Sequence, residues 1–299
     1  MGEPFLHWAG GKRQLLNVLD ANLPVDIKEF KIIRKYIEPF LGGGSMFFHL
    51  KNNYKIKKAY LGDLNSDLIL TYNVIKDDYD VVKLIDYLYR LGEMYNNLED
   101  EERRKTYYAW RDKFNRVRLS KIRSHFHIEI AALMIILNRL GFNGLYRVNS
   151  KGKYNVPFGS KRNFNFNYYN LINVNEDLKV AELFSCDFND FLKYVDDETF
   201  VYLDPPYIPI SNTSNFTNYT HLGFKLEDHI RLSKFVKTID KRGGRFLLSN
   251  SDPKNVDPDN GLIENLYGKF NISRVPARRV INSDPNKRGY VYEVLVKNY

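Results

Sequence analysis

The sequence predicts an α/β fold with a mostly parallel sheet, interrupted by a helical insertion. Short apolar runs rich in Val, Ile, Tyr and Phe alternate with helical patterns over much of the 299 residues. The middle of the chain has a long, basic, helical pattern that ends in a Gly- and Asn-rich stretch. We therefore expect residues 1–76 and 164–299 to form one α/β unit, and residues 77–163 to form a helical one.

Seven apolar runs bounded by polar or turn-forming residues are predicted as strands. They cover residues 36–40, 59–63, 181–185, 200–204, 245–250, 272–276 and 290–297. The last two are expected to form a hairpin at one edge of the sheet. Residues 163–175, rich in Asn and aromatic residues, are expected to return to the sheet without regular structure.

A second hairpin is predicted at about residues 145–157, protruding from the helical insertion. Residues 150–153 read Ser-Lys-Gly-Lys, a turn sequence between two short runs that contain Tyr and Val.

Composition excludes several classes of protein. Apolar residues make up 43% of the chain, and no run approaches the roughly 18 residues of a membrane span. The N-terminus lacks the pattern of a secretion signal, so a cytoplasmic protein is expected. The single cysteine, Cys186, excludes intramolecular disulfides and zinc sites built from several cysteines. His125 and His127 lack a carboxylate cluster and are expected to be surface residues, so no metal is predicted.

The charge balance favours a polyanionic partner. The chain carries 45 Lys and Arg against 36 Asp and Glu, a net charge of +9. Basic residues cluster in residues 103–123 and 139–162. Contacts from such residues to phosphates release counterions and give affinity that does not depend on base sequence.

A glycine-rich turn marks a candidate cofactor site. Residues 37–45 read IEPFLGGGS, a strand that runs into three glycines and then an apolar helix. Glycines at such a turn allow close approach of a ligand. Asp63 ends the next predicted strand about 20 residues later, the spacing at which α/β folds place a carboxylate on a ribose hydroxyl. Asp63 could instead cap the following helix, but the two features together favour an adenosine cofactor.

The run Asp204-Pro205-Pro206-Tyr207 follows a predicted buried strand. Prolines fix the backbone and leave its carbonyls free as acceptors. The Asp204 carboxylate and the Pro205 carbonyl could accept hydrogen bonds from both N–H groups of an exocyclic adenine amine, and Tyr207 could stack on the base. The alternative is a plain turn after a core strand.

These motifs resemble Dam-type DNA adenine-N6 methyltransferases (D12 class, α order) over nearly the whole chain. The segments that carry the resemblance are HWAGGKRQLL, IEPFLGGGSMFF, LGDLNSDLI, LNRLGFNGLYRVNSKGKYNVPFG, YLDPPYIPISNTSNFTNY and LLSN. The resemblance implies a Rossmann-like methyltransferase that uses S-adenosylmethionine (SAM), releases S-adenosylhomocysteine and needs no metal.

The resemblance also assigns residues to the cofactor and to catalysis. The residues implied for the cofactor are Trp8, Gly10, Gly11, Lys12, Phe40, Gly42, Gly44, Asp63, Asp187 and Asp204. The implied catalytic residues are Asp204, Pro205, Pro206 and Tyr207. Asp187 is expected near the SAM adenine.

Recognition of double-stranded DNA is implied for the segment after the basic helices. The implied residues are His7, Phe142, Asn143, Leu145, Arg147, Asn149, Pro157 and Lys161. Arg147 matches an arginine that reads guanine, and residues 211–219 match a mobile loop over the target base. GATC is the expected target, although His7 stands where these enzymes usually carry a lysine that helps to read the first base.

Alternative functions remain open on the sequence. A methyltransferase for RNA adenine or a protein amide uses a related loop, and a non-catalytic DNA-binding protein would share the basic charge. The central basic segment favours DNA over the first two, and the intact motifs argue against the third. The protein is expected to be monomeric, with a cognate restriction endonuclease as a candidate partner.

Overall fold

The structure, a computed structural model, describes residues 1–8, 10–207, 224–278 and 290–299. It contains a seven-stranded sheet with the strand order β3-β2-β1-β4-β5-β7-β6. The strands are β1 (Ile32–Glu38), β2 (Lys55–Gly62), β3 (Ala181–Phe184), β4 (Thr199–Leu203), β5 (Arg245–Ser251), β6 (Asn271–Arg278) and β7 (Tyr290–Lys297).

Helices pack around this sheet and form the middle of the chain. They are α1 (Leu16–Ala21), α2 (Val25–Phe30), α3 (Ser45–Asn53), α4 (Ser66–Lys76), α5 (Asp78–Asn96), α6 (Asp100–Arg118), α7 (His127–Leu140), α8 (Tyr168–Leu178), α9 (Leu226–Lys241) and α10 (Leu262–Tyr267). None of the helices in the described ranges is long and apolar enough to cross a membrane.

The predicted fold class is confirmed. Strands β1 to β5 run parallel, and β7 enters antiparallel between β5 and β6. Each of the seven predicted strands overlaps an observed one. Strands β6 and β7 pair antiparallel over eight residues as predicted, but only β6 lies at the edge of the sheet. The sequence could not show this order, because both strands have apolar residues.

The middle of the chain is helical as predicted. The buried helix α7 contacts α4, α5 and α6, and ten of its residues, from Ile130 to Leu140, are buried. Its apolar side chains belong to the same core cluster as Tyr36 and Ile56 of the sheet. The helical segment therefore shares its apolar core with the α/β part of the chain.

The predicted turn at residues 150–153 is present, in a hairpin closed by isolated bridges. Val148 pairs with Tyr154, and Gly141 pairs with Phe158. The Asn149 side chain accepts hydrogen bonds from the amides of Lys151 and Lys153, both at 3.0 Å. That the hairpin protrudes from the helical insertion stays a prediction. Its buried side chains, Tyr146, Tyr154 and Val156, pack it against the helices.

Residues 163–175 contain most of a regular helix, so the prediction of irregular structure there was wrong. The Asn167 side chain caps α8 by accepting from the Asn170 amide at 3.3 Å. Leu171, Val174 and Leu178 are fully buried along one face. Their spacing is helical, but the surrounding Asn residues obscure it.

Candidate active site

The predicted cofactor and catalytic residues meet at the carboxyl ends of the parallel strands. The sheet reverses its strand order between β1 and β4, because β2 and β3 lie on one side of β1 and β4 on the other. Open α/β sheets bind ligands in the crevice at such a switch point. The glycine turn follows β1, Asp63 follows β2, and Asp204 follows β4.

The turn after β1 requires glycine at two positions. Gly42 has φ +48° and Gly44 has φ +71°, both in the left-handed region. A Cβ on Gly42 would lie 2.8 Å from the Trp8 ring, and one on Gly44 would lie 2.8 Å from the Phe48 ring. The turn therefore brings its backbone against Trp8, and α3 begins at Ser45.

Asp63 interacts with this turn and does not cap the helix. Its Oδ2 accepts from the Gly42 amide at 3.0 Å, and its Oδ1 accepts from the Asn65 amide at 2.8 Å. Asn65 caps α4 instead, by accepting from the amides of Asp67 and Leu68. Burial raises the pKa of Asp63 to about 6, although the two backbone hydrogen bonds oppose the shift.

The N-terminal segment lies across the same crevice. The Gly11 amide donates to the Trp8 carbonyl at 3.2 Å, and Gly10 has φ +83°. The Trp8 ring stacks on Tyr146, with 5.9 Å between ring centroids. The Lys12 side chain then points inward and is only 4% exposed.

Lys12 joins two carboxylates and a tyrosine in one cluster, in which Lys12 and Glu293 are buried. Its Nζ lies 3.3 Å from Asp204 Oδ1 and 2.8 Å from Glu293 Oε2. It also donates to the Tyr207 hydroxyl at 3.0 Å, and that hydroxyl donates to Glu293 Oε1 at 3.2 Å. The structure thus places the predicted lysine directly against the predicted catalytic loop.

The charges in this cluster set its protonation. Burial raises the pKa of Asp204 to about 6, with Lys12 opposing the shift and Glu293 adding to it. Burial alone would lower the pKa of Lys12, but Asp204, Tyr207 and Glu293 outweigh it and raise that pKa. The amine is therefore a permanent cation at neutral pH, facing a carboxylate that titrates just below neutrality.

Prediction from sequence missed the residues that support Asp204. Ser249 on β5 donates to Asp204 Oδ1 at 3.4 Å and lies 2.9 Å from the Tyr202 hydroxyl. Glu38 at the end of β1 accepts from Tyr36 at 2.7 Å. Glu38 and Glu293 are buried carboxylates inside apolar strand patterns, a signal that could have identified both.

The proline pair holds the loop without donating hydrogen bonds. Pro205 is buried and Pro206 is partly buried, and neither has an N–H group. Tyr207 is 39% exposed, so part of its ring is available to a ligand. Residues 211–219, expected to close over the target base, lie outside the described residues.

Asp187 follows β3 at the far side of the crevice. Its carboxylate accepts from Arg231 at 2.7 Å and from the Asn189 amide at 3.0 Å. Phe40 lies nearby in an aromatic group, with its ring 5.5 Å from Phe188 and 5.8 Å from Phe224. The predicted position of Asp187 is thus at the same edge as Asp63, with one oxygen already paired.

The predicted DNA-facing residues lie around the hairpin. Phe142, Arg147, Pro157 and Lys161 are exposed, Asn143 is exposed with φ +53°, and Leu145 and Asn149 are partly buried. His7 packs closely against Gly144, since a Cβ added to Gly144 would lie 2.4 Å from His7 Cβ. The N-terminal segment therefore adds His7 to this surface.

Two of these residues already have partners within the chain. Arg147 donates to Asn155 Oδ1 at 2.8 Å and to the Asn155 carbonyl at 3.3 Å. His7 Nε2 lies 2.8 Å from Arg139 Nη1. Burial and the positive charge of Arg139 lower the pKa of His7, so His7 is neutral near pH 7.

Several basic residues of α6 and the segment after it pair with acids inside the chain. Arg118 and Arg123 both contact Asp67, Lys113 contacts Glu129, and Arg103 contacts Asp100. The net charge of the segment therefore overstates the number of cations that it can present to a polyanion.

The fold and the site together define the class of protein, a Rossmann-like SAM-dependent methyltransferase. The family described as D12 class N6 adenine-specific DNA methyltransferase matches residues 8–281. The chain therefore belongs to this family, as the resemblance implied.

Curated relatives extend over the same length. The chain is similar to the Type II methyltransferase M.MjaIII of Methanocaldococcus jannaschii, with 44% identity over 299 residues that cover 99% of each chain. It is 38% identical to the Type II methyltransferase M1.LlaDCHI of Lactococcus lactis, over 99% of this chain and 95% of that one. It is 33% identical to the DNA adenine methylase of Escherichia coli K12, over 97% and 93% of the two chains.

Proposed function

We propose that this enzyme transfers a methyl group from SAM to N6 of an adenine flipped out of duplex DNA, within the sequence GATC. The observation that carries the proposal is the position of Asp204. Its carboxylate lies at the switch point, beside Lys12 and Tyr207, on the crevice that the glycine turn and Asp63 share.

The residues of this crevice fit an adenosine cofactor. Each oxygen of Asp63 accepts one backbone hydrogen bond and keeps a lone pair for a ribose hydroxyl. The partly buried ring of Phe40, which packs on the buried ring of Phe188, supplies an apolar surface for a base. We assign Trp8, Gly10, Gly11, Lys12, Gly42, Gly44 and Asp187 to the same pocket. SAM supplies an electrophilic methyl group there, and S-adenosylhomocysteine is its product.

Catalysis in this proposal is positioning and electrostatic. The adenine amine is a poor nucleophile because its lone pair is delocalised into the ring. The Asp204 carboxylate and the Pro205 carbonyl accept hydrogen bonds from its two N–H groups, so the lone pair localises on nitrogen. Tyr207 stacks on the extruded base, a contact worth about 1–3 kcal/mol. Attack of N6 on the methyl carbon forms the new N–C bond while the bond from the SAM sulfur to that carbon breaks and S-adenosylhomocysteine leaves. N6 then loses one proton to the Asp204 carboxylate, which passes it to solvent.

In this proposal the hairpin recognises the base sequence of the DNA. Arg147 is exposed, and after releasing Asn155 it can donate two hydrogen bonds to O6 and N7 of guanine. Phe142 and Asn143 enter the space left by the flipped adenine, while Leu145 and Pro157 make apolar contacts to bases. His7, Asn149 and Lys161 complete the DNA-facing set.

The relatives support a further proposal about partners. Two of them are named Type II methyltransferases, which favours a cognate restriction endonuclease as the protein partner. We also propose that the enzyme acts as a monomer on DNA.

Transfer of labelled methyl from SAM to unmethylated plasmid tests the function. The plasmid is then digested with a GATC endonuclease that adenine methylation blocks, and the methylated positions are mapped. Label together with protection is the expected result. Asp204→Ala should remove both, and Asp259→Ala, at an exposed position, is the matched control.

The other outcomes are equally informative. Label without protection would keep the chemistry and reject GATC, and His7 would be the first residue to change. Label on RNA or protein but not on DNA would reject the DNA substrate.

A further inference from the structure

A buried acid, Asp67, joins the cofactor side of the molecule to the hairpin. Asp67 lies in the first turn of α4, four residues after Asp63, and its side chain is 1% exposed. Arg118 Nε contacts its Oδ2 at 2.5 Å, and Arg123 Nη2 contacts its Oδ1 at 3.0 Å. The Tyr146 hydroxyl donates to Oδ2 at 2.7 Å.

Arg118 contacts two points of the hairpin as well as Asp67. Its Nη2 donates to the Tyr146 hydroxyl at 3.2 Å, and its Nη1 donates to the carbonyl of Gly152 in the turn. One planar guanidinium thus reaches α4 and both ends of the segment from Tyr146 to Gly152. Arginine suits this task because its donors lie in a fixed plane.

The segment between these two points contains Arg147, the residue proposed to read guanine. Tyr146 precedes it directly, and the Tyr146 ring also stacks on Trp8 at 5.9 Å. The position of Arg147 relative to the cofactor crevice therefore depends on Tyr146 and Arg118. A displacement of about 1 Å in such a positioning residue can strongly reduce function.

Burial explains why this cluster fixes geometry. A buried carboxylate needs its full set of partners, since a lost partner leaves a charge without compensation. The two arginines and the tyrosine hydroxyl satisfy Asp67, so the arrangement has little freedom to shift.

We propose that Asp67, Arg118 and Tyr146 are positioning residues for target recognition, which hold the hairpin so that Arg147 meets its base. The proposal rests on the proposed function of Arg147. It goes beyond that function because it assigns specificity to residues that need not touch DNA.

The test compares Tyr146→Phe and Arg118→Met with Arg116→Met. Tyr146→Phe keeps the ring on Trp8 and removes only the hydroxyl. Arg116 is the matched control because it is an exposed arginine on the same helix as Arg118 and takes no part in the Asp67 cluster described above. For each variant, kcat and KM are measured on the mapped target duplex and on a duplex changed at the base that Arg147 reads.

Discrimination is the ratio of kcat/KM for the two duplexes. We expect Tyr146→Phe and Arg118→Met to lower it by about tenfold, equivalent to about 1.4 kcal/mol, while kcat on the target changes by less than about twofold. Arg116→Met should keep the wild-type ratio. Equal ratios in all variants, or an equal loss on both duplexes, would overturn the proposal.

Two controls keep this test decisive. Thermal melting and SAM binding show whether each variant folds. If Arg118→Met does not fold, the comparison rests on Tyr146→Phe alone. Arg147→Ala is measured in parallel. If it leaves discrimination unchanged, the proposed role of Arg147 fails; if only Arg147→Ala changes it, the positioning role fails.

Discussion

Lys12 Nζ lies 3.3 Å from Asp204 Oδ1, so the N-terminal segment supplies the cation that faces the Asp-Pro-Pro-Tyr loop. Glu293 on β7 holds the other side of this ammonium group at 2.8 Å. The Asp204 carboxylate is therefore part of a group of two acids and one base, and its protonation depends on both neighbours.

The rate of methyl transfer should fall as the pH is lowered through about 6. Burial raises the pKa of Asp204 to that value, and a protonated Asp204 is a weaker acceptor for the amine proton. The rate should be constant at higher pH, because the raised pKa of Lys12 keeps it charged. Single-turnover rates from about pH 5 to pH 8 check this. A rate independent of pH over this range would show that the Asp204 charge is not required.

Glu293→Gln should move the pH at which the rate falls to a lower value. The Glu293 charge helps to raise the pKa of Asp204, so a neutral residue at this position lowers it. Glutamine keeps hydrogen-bonding groups toward Lys12 and Tyr207, so the rate at neutral pH should change by less than about tenfold. The same pH series on the variant measures the shift. An unchanged midpoint would mean that Asp204 and Glu293 are not coupled.

Lys12→Met should move the pH at which the rate falls to a higher value, and it should destabilise the fold. Loss of the cation leaves two buried acids together, which raises the pKa of Asp204 and slows transfer at neutral pH. Removal of one partner from a buried ion pair typically costs about 3–5 kcal/mol. Thermal melting and the pH series measure the two effects. Arg13→Met, at the exposed neighbouring residue, is the control and should change neither.

The sequence predicts those parts of the site that follow strands along the chain. The glycine turn, Asp63 and Asp204 each end a recognisable apolar run, so parallel pairing brings them together without further information. Glu293 could not be placed in this way. It comes from β7, which enters antiparallel beside β5, and nothing local in the sequence shows that it faces Lys12.

The ion pairs within the chain could not be predicted from the sequence either. The cluster at residues 103–123 predicts a basic surface, but Arg118 and Arg123 contact the buried Asp67. A single acid on α4, remote in sequence, decides this. The irregular return predicted for residues 163–175 was wrong for a similar reason, because burial of Leu171 and Val174 stabilises α8 despite the many Asn residues.

Asp63→Ala should weaken SAM binding by about tenfold or more, equivalent to at least about 1.4 kcal/mol. The variant loses the proposed ribose acceptor, and it also leaves the Gly42 amide without its side-chain partner. The kcat at saturating SAM should change less than the dissociation constant. Isothermal titration calorimetry measures the affinity, with Asp259→Ala as the exposed control. An unchanged affinity would place the ribose elsewhere.

Glu38 should make the free energy of unfolding decrease as the pH rises from about 4.5 to about 8. Burial raises the pKa of Glu38 to about 8; its hydrogen bond from Tyr36 opposes the shift and the Asp204 charge adds to it. Between these values the folded state keeps a proton that the unfolded state has released. Stability is therefore greatest below the unfolded pKa and is lost toward the folded pKa, by at most about 1.4 kcal/mol per pH unit.

Glu38→Gln removes this titration and should flatten the stability curve over the same range. Glutamine can still accept from the Tyr36 hydroxyl, so the packing at the end of β1 is preserved. Urea unfolding of both proteins at several pH values gives the comparison. If the free energy of unfolding changes equally with pH in the wild type and in Glu38→Gln, Glu38 titrates below this range. Its carboxylate is then charged in the folded protein at neutral pH. In that case Asp204 would have a second negative neighbour besides Glu293, and the fall in rate at low pH would begin above pH 6.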